Sequence, residues 1–273
     1  MAPPLTPAQV PLLFVGGLHR SGTTALARVL ASAPGIRGLT GTGVPEDEGQ
    51  HLQRALPTAA QHGGPGTFAF DPGSHLTEES ALARPATART VLAAWQPYWH
   101  LDDGERPSWG AGGLALLEKS PPNLLRTRLL QALFPSARFV LVLRHPAVVS
   151  LSTAAWRPQL AVGTLLRHWL LAHETAAADV PALRDCVVVR YEDLAAAPQE
   201  RLGDLTRRLD VDTAVEPELF HDANPGWLEK WPGRVRTVGT DERRSIEARL
   251  APFGYRLRPP YVVPPEWAPL HAR

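Results

Sequence analysis

A short glycine loop carries the residues of this sequence that are best suited to chemistry. The stretch Leu12–Leu30 reads LLFVGGLHRSGTTALARVL, which is an apolar run, a Gly-Gly turn, a small polar loop and then a helical pattern. A strand, a tight loop and a helix N-terminus in this order direct free backbone N–H groups and the positive end of the helix dipole to one point. The sequence therefore predicts an anion-binding loop.

The side chains of the loop favour the same interpretation. Gly22 permits close approach of the backbone to a ligand, Ser21, Thr23 and Thr24 supply hydroxyls, and Arg20 supplies a planar cation with several donors. The loop differs from the G-x-x-x-x-G-K-[ST] loop of nucleotide hydrolases, because no lysine precedes its hydroxyl residues. The alternative is a helix that follows a tight turn and is capped by a threonine.

Two further basic residues stand where predicted strands end. Lys119 follows an apolar run and precedes a helix that starts with proline, so it could reach a bound anion or lie on the surface. Arg144 ends the run Phe139–Leu143, where a charge is costly unless it has a partner. Ser152 follows eight residues later on the next helical pattern. The alternative for Arg144 is a helix-capping arginine.

Strands and helices alternate along the chain. Apolar runs predict four buried parallel strands: Leu12–Val15, Leu114–Leu117, Phe139–Leu143 and Val187–Val189. Periodic patterns predict helices at Thr24–Ser32, Pro122–Phe134, Ala147–Ala155, Val162–Ala178, Pro198–Leu209 and Glu242–Leu250. This alternation predicts an α/β fold with a central parallel sheet. Ligands bind at the carboxyl ends of such strands, so we expect the glycine loop, Lys119 and Arg144 at one edge.

The region at about 55–113 breaks this pattern. It is rich in Gly, Pro, Ala and Thr, contains scattered Trp and Tyr residues, and shows a helical pattern only around Ala81–Trp99. We expect residues 1–273 to form a single domain in which this region is an insertion. A long insertion of this kind is typical of a lid or an acceptor-binding loop. The alternative is a surface excursion whose aromatic side chains pack down.

Composition excludes several classes of protein. The formal net charge is +1, so no overall field favours nucleic acid as a partner. The single cysteine, Cys186, excludes an intrachain disulfide framework and a multi-cysteine metal site. The first apolar run is too short for a membrane span or a signal peptide. We therefore expect a cytoplasmic protein without a membrane span.

An ordered set of motifs resembles the sulfotransferase superfamily. The motifs are RSGTT after a strand, EKSP, LVLRHP with a serine eight residues beyond Arg144, and RYEDL. The resemblance extends from about Leu12 to Tyr255 and is greatest for the branch of the tyrosylprotein sulfotransferases and their bacterial relatives. It implies a three-layer, P-loop-like fold in which helices flank the parallel sheet. It also implies 3′-phosphoadenosine 5′-phosphosulfate (PAPS) as the sulfuryl donor.

The resemblance implies roles for the matching positions. The loop Arg20–Thr24, which comprises Arg20, Ser21, Gly22, Thr23 and Thr24, would hold the 5′-phosphosulfate. Arg144 and Ser152 would grip the 3′-phosphate, the group that distinguishes PAPS from ATP. Lys119 would lie near the bridging oxygen of the sulfate.

Three further positions correspond to functional positions of the family, and at one of them the residue type differs. Tyr191 would lie near the nucleotide, and Lys230 would belong to a late loop that closes over the cofactor. The second arginine of the family's 3′-phosphate site would fall at Trp156, with Arg157 beside it.

The implied reaction is in-line transfer of a sulfuryl group to a hydroxyl or amine of a small-molecule, glycan or peptide acceptor, with adenosine 3′,5′-bisphosphate (PAP) as product. Positioning and charge stabilisation dominate such a transfer. Arg20 and Lys119 are the cations that we expect to face the developing charge, with no metal. The candidate general bases follow the first helix, and we favour Glu48, then Glu46, then His51. A solvated acidic turn is the alternative for each.

Two other function classes would use a similar fold. One is a P-loop kinase, which would need a lysine late in the loop and carboxylates for magnesium. The other is a nucleotide-binding protein without sulfotransferase activity, which the combination of Arg20, Lys119, Arg144 and Ser152 argues against.

Overall fold

A parallel sheet of five strands forms the centre of the computed structural model, which describes residues 5–211, 216 and 220–263. The strands are β1 (Leu12–Gly17), β2 (Ile36–Gly38), β3 (Ala115–Lys119), β4 (Arg138–Leu143) and β5 (Cys186–Arg190). Their order across the sheet is β2-β3-β1-β4-β5, and every neighbouring pair is parallel. The predicted α/β fold with a central parallel sheet is therefore confirmed.

Ten α-helices accompany these strands in the described residues. They are α1 (Thr23–Ala31), α2 (Pro85–Trp95), α3 (Thr127–Leu133), α4 (Pro146–Ala154), α5 (Val162–Asp179), α6 (Tyr191–Ala196), α7 (Pro198–Arg208), α8 (Pro225–Leu228), α9 (Trp231–Val235) and α10 (Thr240–Leu250). Each of the parallel connections leaves the carboxyl edge of the sheet and returns to its amino edge.

The helices cover both faces of the sheet. Successive side chains of a strand point to opposite faces, and on β1 Leu13 and Val15 join a core cluster with α1, α6 and α7. Leu12 and Phe14 join the other cluster, which includes α2, α3 and α5. The three-layer architecture is therefore confirmed, and it explains why β1 reads as a continuous apolar run.

The register of the central strands brings the basic segments to one edge. Val15 of β1 pairs with Lys119 of β3, and Gly17 of β1 pairs with Val142 of β4. The glycine loop after β1, the end of β3 and Arg144 after β4 consequently meet at the carboxyl edge, as the strand pattern predicts.

The structure corrects one helix and adds elements that the sequence patterns missed. The predicted helix Pro122–Phe134 is two pieces: a 3₁₀ segment, Pro121–Leu125, and α3. The break lies at Arg126, whose backbone is not helical (φ −135°, ψ 20°) because its buried guanidinium binds Asn123 Oδ1 and Pro57 O. Strand β2 and the helices α6, α8 and α9 were not predicted.

The region 55–113 contributes to the core. It contains α2 and several 3₁₀ turns. Phe68, Trp95 and Trp99 are fully buried in the same cluster as β1. Trp95 packs edge-on against Phe14 of β1, the Trp99 indole donates to Leu117 O of β3, and Phe68 packs against His168 of α5. No helix among the described residues has both the length and the apolar character that crossing a membrane requires.

Candidate functional site

The loop between β1 and α1 leaves a helix N-terminus open. Arg20 and Gly22 adopt left-handed backbone conformations, with φ of 70° and 94°. Gly22, rather than a threonine, is the N-cap residue of α1, and no side chain caps the helix. The buried Ser21 hydroxyl donates to Leu18 O at 2.6 Å and closes the turn. The backbone N–H groups of the first turn of α1 therefore point to where an anion would bind.

Gly22 is required by both its backbone and its surroundings. A Cβ atom there would lie 2.5 Å from Cδ2 of the Tyr191 ring. We expect Gly22→Ala to lower the free energy of unfolding by about 2–4 kcal/mol, because the left-handed conformation and the clash both add cost. Urea denaturation measures this change. Gly226→Ala is the matched control, since a Cβ at Gly226 has open space and its φ is not positive; equal stability of the two variants would contradict the argument.

Arg144 is buried and only partly satisfied. Its Nε donates to Asn224 Oδ1 at 2.7 Å, and its Nη1 donates to Arg20 O at 3.0 Å. The Tyr191 ring lies under the guanidinium, 3.9 Å from centroid to Cζ. Nη2 is buried and has no hydrogen-bond partner within the described chain. Burial lowers the pKa of Arg144, and a buried cation with a free donor is a favourable partner for an anion.

A carboxylate and an amide orient Arg144. Asn224 Nδ2 donates to Glu192 Oε1 at 2.8 Å, so the amide oxygen faces the arginine. Glu192 Oε1 also accepts the His145 N–H, and Glu192 Oε2 accepts the Tyr255 hydroxyl. Sequence reasoning missed Asn224 entirely. Glu192 lies in the RYEDL motif, where an acid shortly after a strand-ending arginine is the available signal for its role.

The loop arginine meets the serine of α4. Arg20 Nε donates to Ser152 Oγ at 2.6 Å, and Ser152 is buried. The Arg20 guanidinium also lies over the indole of Trp156, 4.5 Å from its centroid, and Trp156 is 55% exposed. Arg157, the neighbour of Trp156, donates instead to the backbone carbonyls of Gly63 and Pro65. The structure thus brings Arg20, Arg144 and Ser152 together.

Lys119 and Glu48 form a buried ion pair at the other side of the loop. Lys119 Nζ lies 3.0 Å from Glu48 Oε1, and the two residues are only 4% and 8% exposed. Gln50 Nε2 donates to Glu48 Oε2 at 2.5 Å. Gln50 is a second residue that the sequence patterns missed. The pair is a juxtaposed acid and base, and a carboxylate in this position can accept a proton beside a cation.

The other two candidate bases lie in different surroundings. Glu46 is half exposed and pairs with Arg28 at 3.2 Å on the surface. His51 Nε2 lies 3.7 Å from Glu48 Oε2, at the margin of the Lys119–Glu48 pair. Of the three candidates, only Glu48 contacts Lys119 in the described structure.

A cavity of about 230 Å³ lies beside this ion pair, and Lys119 lines it, whereas Glu48 is not among its lining residues. Thr24, Arg28 and Glu46 line it together with Lys119, between α1 and the carboxyl ends of β2 and β3. The cavity is therefore continuous with the N-terminus of α1 and accessible to a ligand of modest size.

Tyr191 lies in the site, whereas Lys230 lies apart from it. The Tyr191 hydroxyl donates to His221 O at 2.5 Å and accepts the Ala223 N–H at 3.1 Å, which anchors the segment before α8. Lys230 is exposed at the start of α9, with Nζ 5.1 Å from the centroid of the Trp227 ring. Tyr191 is thus part of the Arg144 cluster, whereas the contact of Lys230 is with its own segment.

Comparison with known proteins identifies the family. The model of the sulfotransferase family matches residues 11–215, which is most of the chain and includes the loop, Lys119, Arg144 and Tyr191. The chain belongs to the sulfotransferase family. It is a sulfotransferase, and the kinase alternative is not favoured.

Relatives of the sulfotransferase are similar over nearly its whole length. Protein-tyrosine sulfotransferase 1 of Danio rerio is 23% identical over 94% of this chain and 75% of its own length. Protein-tyrosine sulfotransferase 2 of Gallus gallus is 23% identical over 95% of this chain and 72% of its own. The sulfotransferase domain of the olefin synthase of Synechococcus PCC 7002 has the same fold, with a TM-score of 0.54, 19% identity, and coverage of 94% of this chain and 99% of that domain.

The candidate site is rich in cationic donors. Arg20, Lys119 and Arg144 lie at the carboxyl edge of the sheet, as does the open N-terminus of α1. In the described ranges, no group of three His, Cys, Asp or Glu side chains has the arrangement of a metal site. A donor set of this kind suits an anion with several oxygens rather than a cation.

Proposed function

We propose that this sulfotransferase transfers the sulfuryl group of PAPS to a hydroxyl or amine of a small-molecule, glycan or peptide acceptor. The observation that supports it best is the buried Nη2 of Arg144, a charged donor without a partner in the described chain, next to the glycine loop and near Ser152. A free buried donor of this kind fits the 3′-phosphate that distinguishes PAPS from ATP.

The donor nucleotide would be held by two groups of residues. The first-turn N–H groups of α1 and the loop Arg20–Thr24 would take the 5′-phosphosulfate, because they combine open backbone donors with a helix N-terminus. Arg144 and Ser152 would take the 3′-phosphate. Tyr191 lies under Arg144 and against Gly22, so its ring would lie beside the nucleotide. Lys230 is proposed to approach from the late loop.

PAPS supplies an activated sulfuryl group with a good leaving group. Lys119 and Arg20 would stabilise the negative charge that develops at the transferred group and the bridging oxygen, so that no metal is required. Since Arg20 donates to Ser152 in the described structure, its guanidinium would turn toward the sulfuryl oxygens when the loop is occupied.

Glu48 would act as the general base. Its carboxylate is buried beside Lys119, and Lys119 lines the cavity that Thr24 also lines. An acceptor hydroxyl that reaches Glu48 beside Lys119 would give its proton to the carboxylate while its oxygen attacks sulfur. Glu46, on the cavity wall, and His51, beside Glu48, are the lower-ranked bases.

Nucleotide binding tests the proposal without knowledge of the acceptor. We expect PAP to raise the melting temperature of the protein more than ATP with magnesium, because only PAP places a phosphate on Arg144 and Ser152. A ligand at about 100 times its dissociation constant stabilises by about 2.7 kcal/mol. Differential scanning fluorimetry measures both shifts, with AMP as a nucleotide that lacks the 3′-phosphate. Equal shifts by PAP, AMP and ATP would exclude the proposed donor. If PAP gives the larger shift, a screen of acceptors with radiolabelled PAPS tests the transfer itself.

A further inference from the structure

A second carboxylate, Glu118, lies directly beside Lys119 on β3. Glu118 is completely buried. Neighbouring residues of a strand point to opposite faces of the sheet. Lys119 therefore faces the cavity, and Glu118 faces the core on the other side of the strand. A buried carboxylate is costly unless it is fully hydrogen-bonded, so its partners are informative.

Three donors surround the Glu118 carboxylate. Oε1 accepts the Gly49 backbone N–H at 3.0 Å and the Ser120 hydroxyl at 2.5 Å. Oε2 accepts from Asn123 Nδ2 at 2.6 Å. One of these three partners, Gly49, directly follows the proposed base Glu48 and comes from a segment 69 residues away in sequence.

The neighbouring groups turn their donors toward the Glu118 carboxylate. Ser120 Oγ already accepts the Gln50 N–H at 3.0 Å, so its proton is free to go to Glu118. Asn123 Oδ1 accepts two N–H groups of the buried Arg126, at 3.0 and 2.8 Å, which turns the amide NH₂ toward Glu118. Burial raises the pKa of Glu118, and the charge of Arg126 opposes that rise.

The same contacts hold the backbone that follows Glu48. Gly49 N–H is bound by Glu118, Gly49 C=O accepts from Trp95 Nε1 at 2.9 Å, and Gln50 N–H is bound by Ser120. A Cβ at Gly49 would lie 2.7 Å from Glu118 Oε1 and from Trp95 Nε1, so the segment is in close contact with both side chains. β3 thus contacts Glu48 through Lys119 and the following backbone through Glu118.

We propose that Glu118 is a positioning residue: its buried carboxylate holds the Glu48–Gln50 backbone against β3 and thereby sets the Glu48 carboxylate at Lys119. The proposal rests on the proposed function in so far as Glu48 is the base. Glu118 acts through Gly49 and Ser120 and does not touch the substrates.

Glu118→Gln tests this role, because the amide keeps the shape but presents an NH₂ group to one of three donors. We expect amide hydrogen exchange in residues 48–53 to become at least about tenfold faster, since a hydrogen bond to a charged group is lost. Exchange in α4 and the PAP-induced thermal shift should stay at the wild-type level. With an acceptor in hand, kcat should fall by about 10–100-fold at unchanged KM for PAPS, because a small displacement of a catalytic group has an effect of this size.

Two further variants make the result decisive. Glu174→Gln is the matched control, since Glu174 pairs with Arg249 on the surface between α5 and α10. Ser120→Ala removes the link between Glu118 and Gln50 while it keeps the carboxylate, and it should accelerate exchange in the same segment by a smaller factor. It decides the question if Glu118→Gln does not fold.

The outcomes separate this role from general packing and from the proposed function. Wild-type exchange at residues 48–53 in a folded Glu118→Gln protein, or an equal loss of the PAP shift, would overturn the positioning role. Failure of PAP to stabilise the wild-type protein would overturn the proposed function and leave the exchange result standing.

Discussion

Glu48→Gln should lower kcat by about 10²–10⁴-fold, which is the usual contribution of a general base. The amide keeps the size of the side chain and can still accept from Lys119 Nζ through its oxygen, but it cannot take a proton from the acceptor. Binding of PAP should remain within about twofold, because Glu48 is proposed to face the acceptor, and the charge-assisted contacts to the nucleotide are proposed to come from other residues. Steady-state kinetics with PAPS and isothermal titration with PAP measure the two quantities.

The three candidate bases can be ranked by the same measurements. Glu46→Gln and His51→Gln are made in parallel, and Glu174→Gln is the control for an exposed, paired glutamate. The base is the residue whose loss lowers kcat most while PAP binding is retained. If Glu48→Gln retained its turnover, the assignment would pass to Glu46 or His51.

Arg144→Ala should weaken PAP binding by about 10–150-fold, which corresponds to about 1.5–3 kcal/mol for a charge-assisted contact. The sharper expectation concerns selectivity. Wild-type protein should bind PAP much more tightly than AMP. The variant should lose most of that preference, because Arg144 is proposed to bind only the 3′-phosphate. Titration calorimetry with both nucleotides gives the ratio directly.

A second substitution, Arg144→Lys, controls for a loss of folding in Arg144→Ala. Arg144→Ala leaves Asn224 Oδ1 without its donor, whereas Arg144→Lys keeps a positive charge and loses the planar fork. The lysine variant should show intermediate selectivity for PAP over AMP. Arg249→Ala, which removes a surface arginine that pairs with Glu174, is the control. Unchanged selectivity with reduced turnover in both Arg144 variants would move the 3′-phosphate site elsewhere.

Much of the fold could be predicted because its signals are local. The core strands are continuous apolar runs, and the helices after them have periodic leucines, so the α/β order could be inferred from the sequence. Strand β2 could not, because it has only three residues and its pairing with Ala115–Leu117 of β3 is a long-range contact. The helix break at Arg126 could not be predicted either, because the leucine spacing continues through it. It is seen only in the structure, where the buried guanidinium makes hydrogen bonds to Pro57 O and Asn123 Oδ1.

The site divides in the same way. Lys119 and Arg144 are recognisable because each stands at the end of an apolar strand, and Arg20 because it stands in the loop after one; the chain topology alone brings such charges to one edge. Asn224 and Gln50 carry no such signal. An asparagine before a proline and a glutamine in an acidic turn are common in any loop. Asn224 acts on Arg144, 80 residues away, and Gln50 acts on Glu48, which is itself paired with Lys119, 71 residues away.

The sequence by itself determined that a glycine loop with an arginine lies between a buried strand and a helix, and that further cations end the neighbouring strands. Those features depend on residue type and short-range spacing, which local propensity and hydrophobic periodicity specify. Only the tertiary structure decided that Glu48, rather than Glu46 or His51, meets Lys119, and that Arg144 is left with a free buried donor. Both depend on contacts between segments 71 or more residues apart, where packing and the desolvation of charge set the arrangement.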